Sequence, residues 1–283
     1  QPSSNGGDYE GTHCDGDSWS HVPTTLLTCL GGLLGNGAVL GLLFPHARSS
    51  PVAVCTLNLA AADVAFLSST TIALGMFSGP QSLCHRLGTR GAMTALNVAI
   101  IFTFTASSSL LAALGASTAL PCCHPHRPWL PCALLWLLAL LLALTLPFSP
   151  AVLLLFILTY LCSLLLLLLS ALTLCVRAWC CSLHPPLRGP CAVVLLAAAS
   201  FPFLTADFAY WLLVRLFDIS VVAFDTSLLL ACLHSSLRPA ILLLAGCWAQ
   251  GCGGSARAAC LGAIGDPTEV ESGEEAPRES TEE

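Results

Sequence analysis

Seven apolar runs, separated by short polar or proline-bearing connections, organise the chain. They cover about 24–44, 52–77, 92–120, 129–147, 151–176, 191–214 and 221–247. Each is close to or above the roughly 20 apolar residues that a helix needs to cross a bilayer. The connections carry breaker signals: Pro45 and Pro51 flank the first, Ser78-Gly79-Pro80 closes the second run, and Pro125 and Pro128 bracket His126-Arg127. Residues 129–176 are almost continuously apolar, too long for one crossing. Pro147-Phe148-Ser149-Pro150 divides them into two spans joined by a tight turn. The third run opens with Thr, Ser and Asn, which predicts a helix that faces protein more than lipid. The pattern predicts an all-α bundle of seven transmembrane helices over residues 22–249. A membrane barrel would instead show many short alternating strands. Residues 1–21, rich in Gly, Ser and Asp, are expected to be a disordered N-terminal segment, and 250–283 an acidic tail.

Composition supports the membrane reading. Mean hydropathy is +0.81 and only 9% of the residues are charged, against about a quarter in a soluble domain. The net charge of −6 comes from the tail: half of the sixteen acids lie in the last eighteen residues. The remainder is near neutral, so no nucleic-acid partner is expected. All ten basic residues are arginines. With the N-terminus outside, the inner connections carry Arg48, Arg127, Arg177, Arg188 and Arg257, and the outer ones Arg86, Arg90 and Arg215. That bias favours an extracellular N-terminus and a cytoplasmic tail. The sixteen cysteines, many inside apolar runs, read as small buried hydrophobes rather than a disulfide framework. There is no HExxH, no phosphate-binding glycine loop and no CxxC, so an enzyme is not expected.

Ionisable groups at bilayer depth are costly and tend to mark function. Asp63 lies inside Leu57-Asn58-Leu59-Ala60-Ala61-Ala62-Asp63-Val64, near the centre of the second span. A carboxylate there faces protein, water or an ion, or takes up a proton. Asn36 of Gly35-Asn36-Gly37 is a plausible polar neighbour. The two residues form either a polar switch or a structural knot between the first two helices. Sodium at Asp63 is the ion considered; no other cofactor and no metal centre is expected. Arg238, before Pro239 in the last span, is expected to extend its stem toward the inner surface, and the Arg238-Pro239 pair is counted with Asn36 and Asp63 in the polar switch of the bundle. Asp207, Tyr210 and Trp211 lie toward the outer end of the sixth span, and Asp225 near the outer start of the seventh. They are candidate contacts for a basic ligand group. The alternatives are an interfacial acid balanced by Arg215, and belt aromatics. Cys252 and Cys260, near the inner face, are candidate acylation sites or free thiols.

Gly35-Asn36-Gly37-Ala38-Val39-Leu40 followed by Leu57 through Leu67 resembles the first two helices of family A (rhodopsin-like) G protein-coupled receptors, and more narrowly the Mas-related group. Arg127-Pro128, Leu134-Leu135-Trp136, Tyr210-Trp211, Leu233-His234-Ser235-Ser236 and Gly265-Asp266-Pro267-Thr268-Glu269-Val270 extend the resemblance along the chain. The resemblance implies a plasma-membrane protein with its N-terminus outside, a ligand pocket open outward and a heterotrimeric G protein below. It also implies basic peptides or small amines as ligands, in sensory or nociceptive signalling.

The departures concern the switch. The acid-Arg signature expected at the end of the third helix reads Ser117-Thr118-Ala119, so the coupling Arg is absent. The sixth-helix proline position reads Ala206, with Pro202 one turn earlier, and Asn-Pro-x-x-Tyr of the seventh reads Arg238-Pro239-Ala240-Ile241-Leu242. The functional reading is an orphan receptor of this group. Its rivals are a signalling-impaired, receptor-like protein that pairs with another receptor in a hetero-oligomer, and a multi-pass transporter or channel.

Overall fold

The computed structural model describes residues 21–46, 50–78, 90–120, 129–146, 149–180, 189–215 and 226–250. They form seven α-helices: α1 (Val22–Leu43), α2 (Pro51–Ser78), α3 (Arg90–Ala119), α4 (Trp129–Thr145), α5 (Pro150–Cys180), α6 (Gly189–Arg215) and α7 (Thr226–Gln250). A 3-10 turn, Phe44–His46, follows α1. The expected runs and the observed helices agree to within a few residues at each end. No strand occurs among the described residues. Six of the helices are long and apolar enough to cross a membrane. The seventh, α4, has 17 residues and spans roughly 26 Å at 1.5 Å per residue, at the short limit for a crossing. This is a multi-pass membrane protein.

Local chemistry sets the helix starts. Ser50 caps α2 by accepting the Ala53 N–H on its hydroxyl at 3.1 Å, and Pro51 supplies a first helical residue with no N–H to satisfy. At α1, the His21 carbonyl accepts both the Thr25 N–H at 2.9 Å and the Thr25 hydroxyl at 2.8 Å. The break predicted between the fourth and fifth spans falls where the sequence places it. α4 ends at Thr145 and α5 begins at Pro150, with the Val152 N–H bonded to the Ser149 carbonyl at 3.1 Å.

Burial ranks the helices. In α3, 78% of the most apolar stretch is buried; in α5 the share is 11%. α3 is therefore the central post, packed against α2, α4, α5 and α6, while α5 turns a leucine-rich face outward. The polar residues of α3 do not leave it dry of partners. Thr103, Thr105 and Ser108 each return their hydroxyl to a carbonyl of their own helix at 2.7–2.9 Å, which satisfies them inside the bundle. The Thr- and Ser-rich pattern of this run foretold that position.

Small residues bring α1 onto α7. A Cβ at Gly32 would collide with the Ser236 hydroxyl and lie 2.7 Å from Leu67 Cδ1, and one at Gly35 would lie 2.8 Å from Pro239 Cγ. The close approach lets the Ser236 hydroxyl donate to the Thr28 carbonyl at 3.0 Å. Gly37, in the same motif, faces open space. Gly32→Val is expected to destabilise the bundle by about 1–3 kcal/mol through overpacking. Gly37→Ala is expected to be neutral or stabilising by up to about 1 kcal/mol. Thermal unfolding of the two variants in detergent, side by side, checks the contrast.

Candidate functional site

Three helices converge on one carboxylate. Asp63, near the middle of α2, is fully buried. Nη1 of Arg238 on α7 donates to Asp63 Oδ1 at 2.7 Å and lies 2.9 Å from Oδ2. The Ser107 hydroxyl on α3 donates to Asp63 Oδ1 at 2.7 Å and accepts from Arg238 Nη1 at 2.7 Å. Arg238 is only 6% exposed. The expectation that its stem reaches the inner surface is therefore overturned: the guanidinium turns inward to the buried acid. The physical reason is Coulombic. An unpaired carboxylate at this depth costs several kcal/mol, and a guanidinium within hydrogen-bonding reach offsets part of that cost.

Asn36 was expected beside Asp63, and its amide goes elsewhere. Nδ2 donates to the Gly32 carbonyl at 2.9 Å and to the Ser235 carbonyl at 3.2 Å. The second bond follows from Pro239. Proline has no N–H, so the carbonyl four residues earlier, that of Ser235, lacks its helical partner. Asn36 reaches across from α1 and fills the gap. Asn36 and Asp63 still share the lining of one small cavity, about 20 Å³, with Thr56, Arg238 and Pro239. The four residues read from the sequence as a bundle switch are thus brought together, joined by Ser107 and Ser235, which sequence reasoning missed.

A sodium ion at Asp63 does not fit this arrangement. The lone carboxylate of the cavity lining is already neutralised by Arg238, so a metal cation would bring an uncompensated positive charge into a buried site.

Above the ion pair lies an aromatic layer. Phe66 of α2, Phe104 of α3 and Phe208 of α6 meet with ring centroids 5.0–6.1 Å apart. Tyr160 of α5 joins them 6.4 Å from Phe104 and donates or accepts a hydrogen bond with Thr205 at 2.9 Å. Phe201 continues the layer to His234 of α7, whose Nδ1 lies 3.3 Å from the Ser200 hydroxyl.

At the end of α3, the Ser117 hydroxyl bonds back to the Ala113 carbonyl and that of Thr118 to the carbonyls of Leu114 and Gly115. The Ala119 carbonyl accepts from Arg177 Nη1 of α5 at 2.9 Å. On α2, Asn58 Oδ1 accepts the Trp136 indole N–H at 3.2 Å, tying α2 to α4.

Of the outer candidates, Asp207 and Tyr210 line neither the cavity beside Asp63 nor a smaller one of about 10 Å³ between α3 and α5. Both are exposed, and with Phe203 and Ala206 they share one outward stripe of α6 at helical spacing. Trp211 lies within α6. Asp225, Cys252 and Cys260 fall outside the described residues.

No family model matches the chain. Curated relatives do. The chain is 32% identical over 272 residues to Mas-related G-protein coupled receptor member E of Homo sapiens, covering 85% of this chain and 84% of that protein. It is 31% identical over 289 aligned positions to member E of Mus musculus, covering 89% and 88%. The chain belongs to the Mas-related G-protein coupled receptors. A shorter match, 34% over 131 residues, joins it to member D of Homo sapiens across 41% of this chain. Membership of this receptor family and the all-α bundle fit a rhodopsin-like fold, and the chain is not an enzyme. Arg238, read from the sequence as standing in the Asn position of an Asn-Pro-x-x-Tyr pattern, is the cationic member of this buried cluster.

Leaving a buried charge without its partner costs about 3–5 kcal/mol. Arg238→Met is expected to lower stability by that amount. Ser107→Ala, which removes one bridging hydroxyl, is expected to cost about 1–3 kcal/mol. Thermal midpoints of the purified variants, with surface expression as a second readout, check the order.

Proposed function

We propose that this Mas-related protein is a restrained, receptor-like member of its family at the plasma membrane, with its N-terminus extracellular. Its seven helices are clamped across the core, its ligand-driven coupling to a heterotrimeric G protein is weak, and it acts by pairing with another receptor. The observation that carries this reading is the buried pair between Asp63 and Arg238, which links α2 to α7. Signal transfer through a bundle needs two arrangements of similar free energy. An ion pair that costs several kcal/mol to separate at this depth biases the bundle toward one of them.

The end of α3 supports the same reading. In place of a coupling Arg, Ser117 and Thr118 direct their hydroxyls to their own helix, and Arg177 holds the last carbonyl of α3 against α5. No cation projects from α3 at that point to meet a partner.

A second reading, a sensor of basic peptides or small amines, is favoured by one observation: the Asp207 carboxylate is exposed near the outer end of α6. Asp225, Tyr210 and Trp211 would join it in contacting such a ligand.

Nucleotide exchange on a broad set of G proteins, with a panel of basic peptides and amines, separates the readings. The restrained receptor is expected to reach the cell surface, give no ligand-dependent rise above control membranes, and co-purify with a second receptor. A ligand-dependent rise that Asp207→Ala abolishes supports the sensor and overturns the restraint.

A further inference from the structure

The cavity beside Asp63 raises a question of its own, independent of signalling. Its lining holds the kind of oxygen groups that a hard cation coordinates: the Asp63 carboxylate, the Thr56 hydroxyl and the Asn36 amide. It also holds Arg238, whose Nε is buried and has no hydrogen-bond partner. That combination distinguishes between ligands. The charges of Asp63 and Arg238 cancel, so a metal cation entering the cavity would stand there as an uncompensated charge.

We infer that Arg238 is the resident cation of Asp63, covalently supplied by α7, and that sodium is excluded from the adjoining cavity. Nη1 serves the carboxylate and Ser107. A cation exchanging with solvent would leave the carboxylate whenever it dissociated. The guanidinium cannot dissociate from the chain. The bundle core is thereby uncoupled from the sodium concentration.

Removing the guanidinium should create what the native chain lacks. In Arg238→Gln the carboxylate loses its counter-charge but keeps Ser107, and the space of the lost head group opens toward Thr56 and Asn36. A sodium ion can then compensate Asp63. A ligand that binds only the folded state raises the unfolding midpoint in a saturable way.

The experiment is thermal unfolding of the full chain in detergent, titrated with sodium chloride against choline chloride at matched ionic strength. The native protein is expected to show the same midpoint in both salts. Arg238→Gln is expected to gain a saturable, sodium-specific rise of about 2–4 °C, of the size expected for occupancy worth roughly 1 kcal/mol. Asp63→Asn/Arg238→Gln is expected to lose that rise. A saturable sodium response in the native protein overturns the inference whether or not the single variant folds. An Arg238→Gln protein that folds and ignores sodium overturns it as well. A high-resolution experimental map gives a second measurement. Arg238 Nη1 on Asp63 with no ion beside the carboxylate supports the exclusion, and an ion coordinated by Asp63 overturns it. None of these outcomes depends on coupling to a G protein.

Discussion

One buried ion pair fixes the relation between the ends of this bundle. α2 and α7 are far apart in sequence, yet Asp63 and Arg238 meet at 2.7 Å in a region with little water to separate the charges. In lipid, packing between apolar helices is weakly directional, because the surrounding tails are as apolar as the side chains. A charged pair with a bridging hydroxyl is directional. Ser107 fixes its height on the central helix α3, so three helices share a single register point. Retaining such a pair instead of an apolar contact favours a defined arrangement over raw stability.

The α1–α7 contact depends on a second, smaller device. Pro239 removes one backbone donor from α7, and Asn36 satisfies the carbonyl left behind. That bond requires close helices, which Gly32 and Gly35 permit. The Gly35-Asn36-Gly37 motif and Arg238-Pro239 are therefore halves of one contact. Together with the ion pair, they hold α7 from two sides: α1 grips its backbone, and α2 with α3 grips its side chain. A helix held this way has little freedom to exchange between arrangements, and the proposed restraint on signalling follows from that geometry.

Most of the fold was legible in the sequence, because a bilayer leaves few choices. Apolar runs of crossing length must be helices, and the prolines between them mark the ends. The Thr- and Ser-rich opening of the third run also disclosed the buried helix, since hydroxyls that return to their own backbone are tolerated inside a bundle. The site was legible only in part. Asp63 announced itself as a lone acid in an apolar run, and Arg238 was grouped with it, but the direction of the Arg238 side chain was not legible. An Arg near mid-span can either turn to the surface or turn to an acid, and the outcome depends on which face of α7 meets α2. That rotation is a tertiary property with no local signal. Asn36 misled for a related reason: its partner is a backbone carbonyl, created by a proline on another helix. Asp207 and Tyr210 carried suitable chemistry for a ligand, yet helical spacing places them on the outward stripe of α6.

The most direct measurement of the central claim is a double-mutant cycle on the stability of the native protein, Asp63→Asn, Arg238→Gln and the combination. Paired charges in a buried site predict that the two single losses fail to add, with a coupling energy of at least about 1 kcal/mol and up to about 3 kcal/mol. Additivity within about 0.5 kcal/mol would mean that the two residues act independently, and would contradict the clamp.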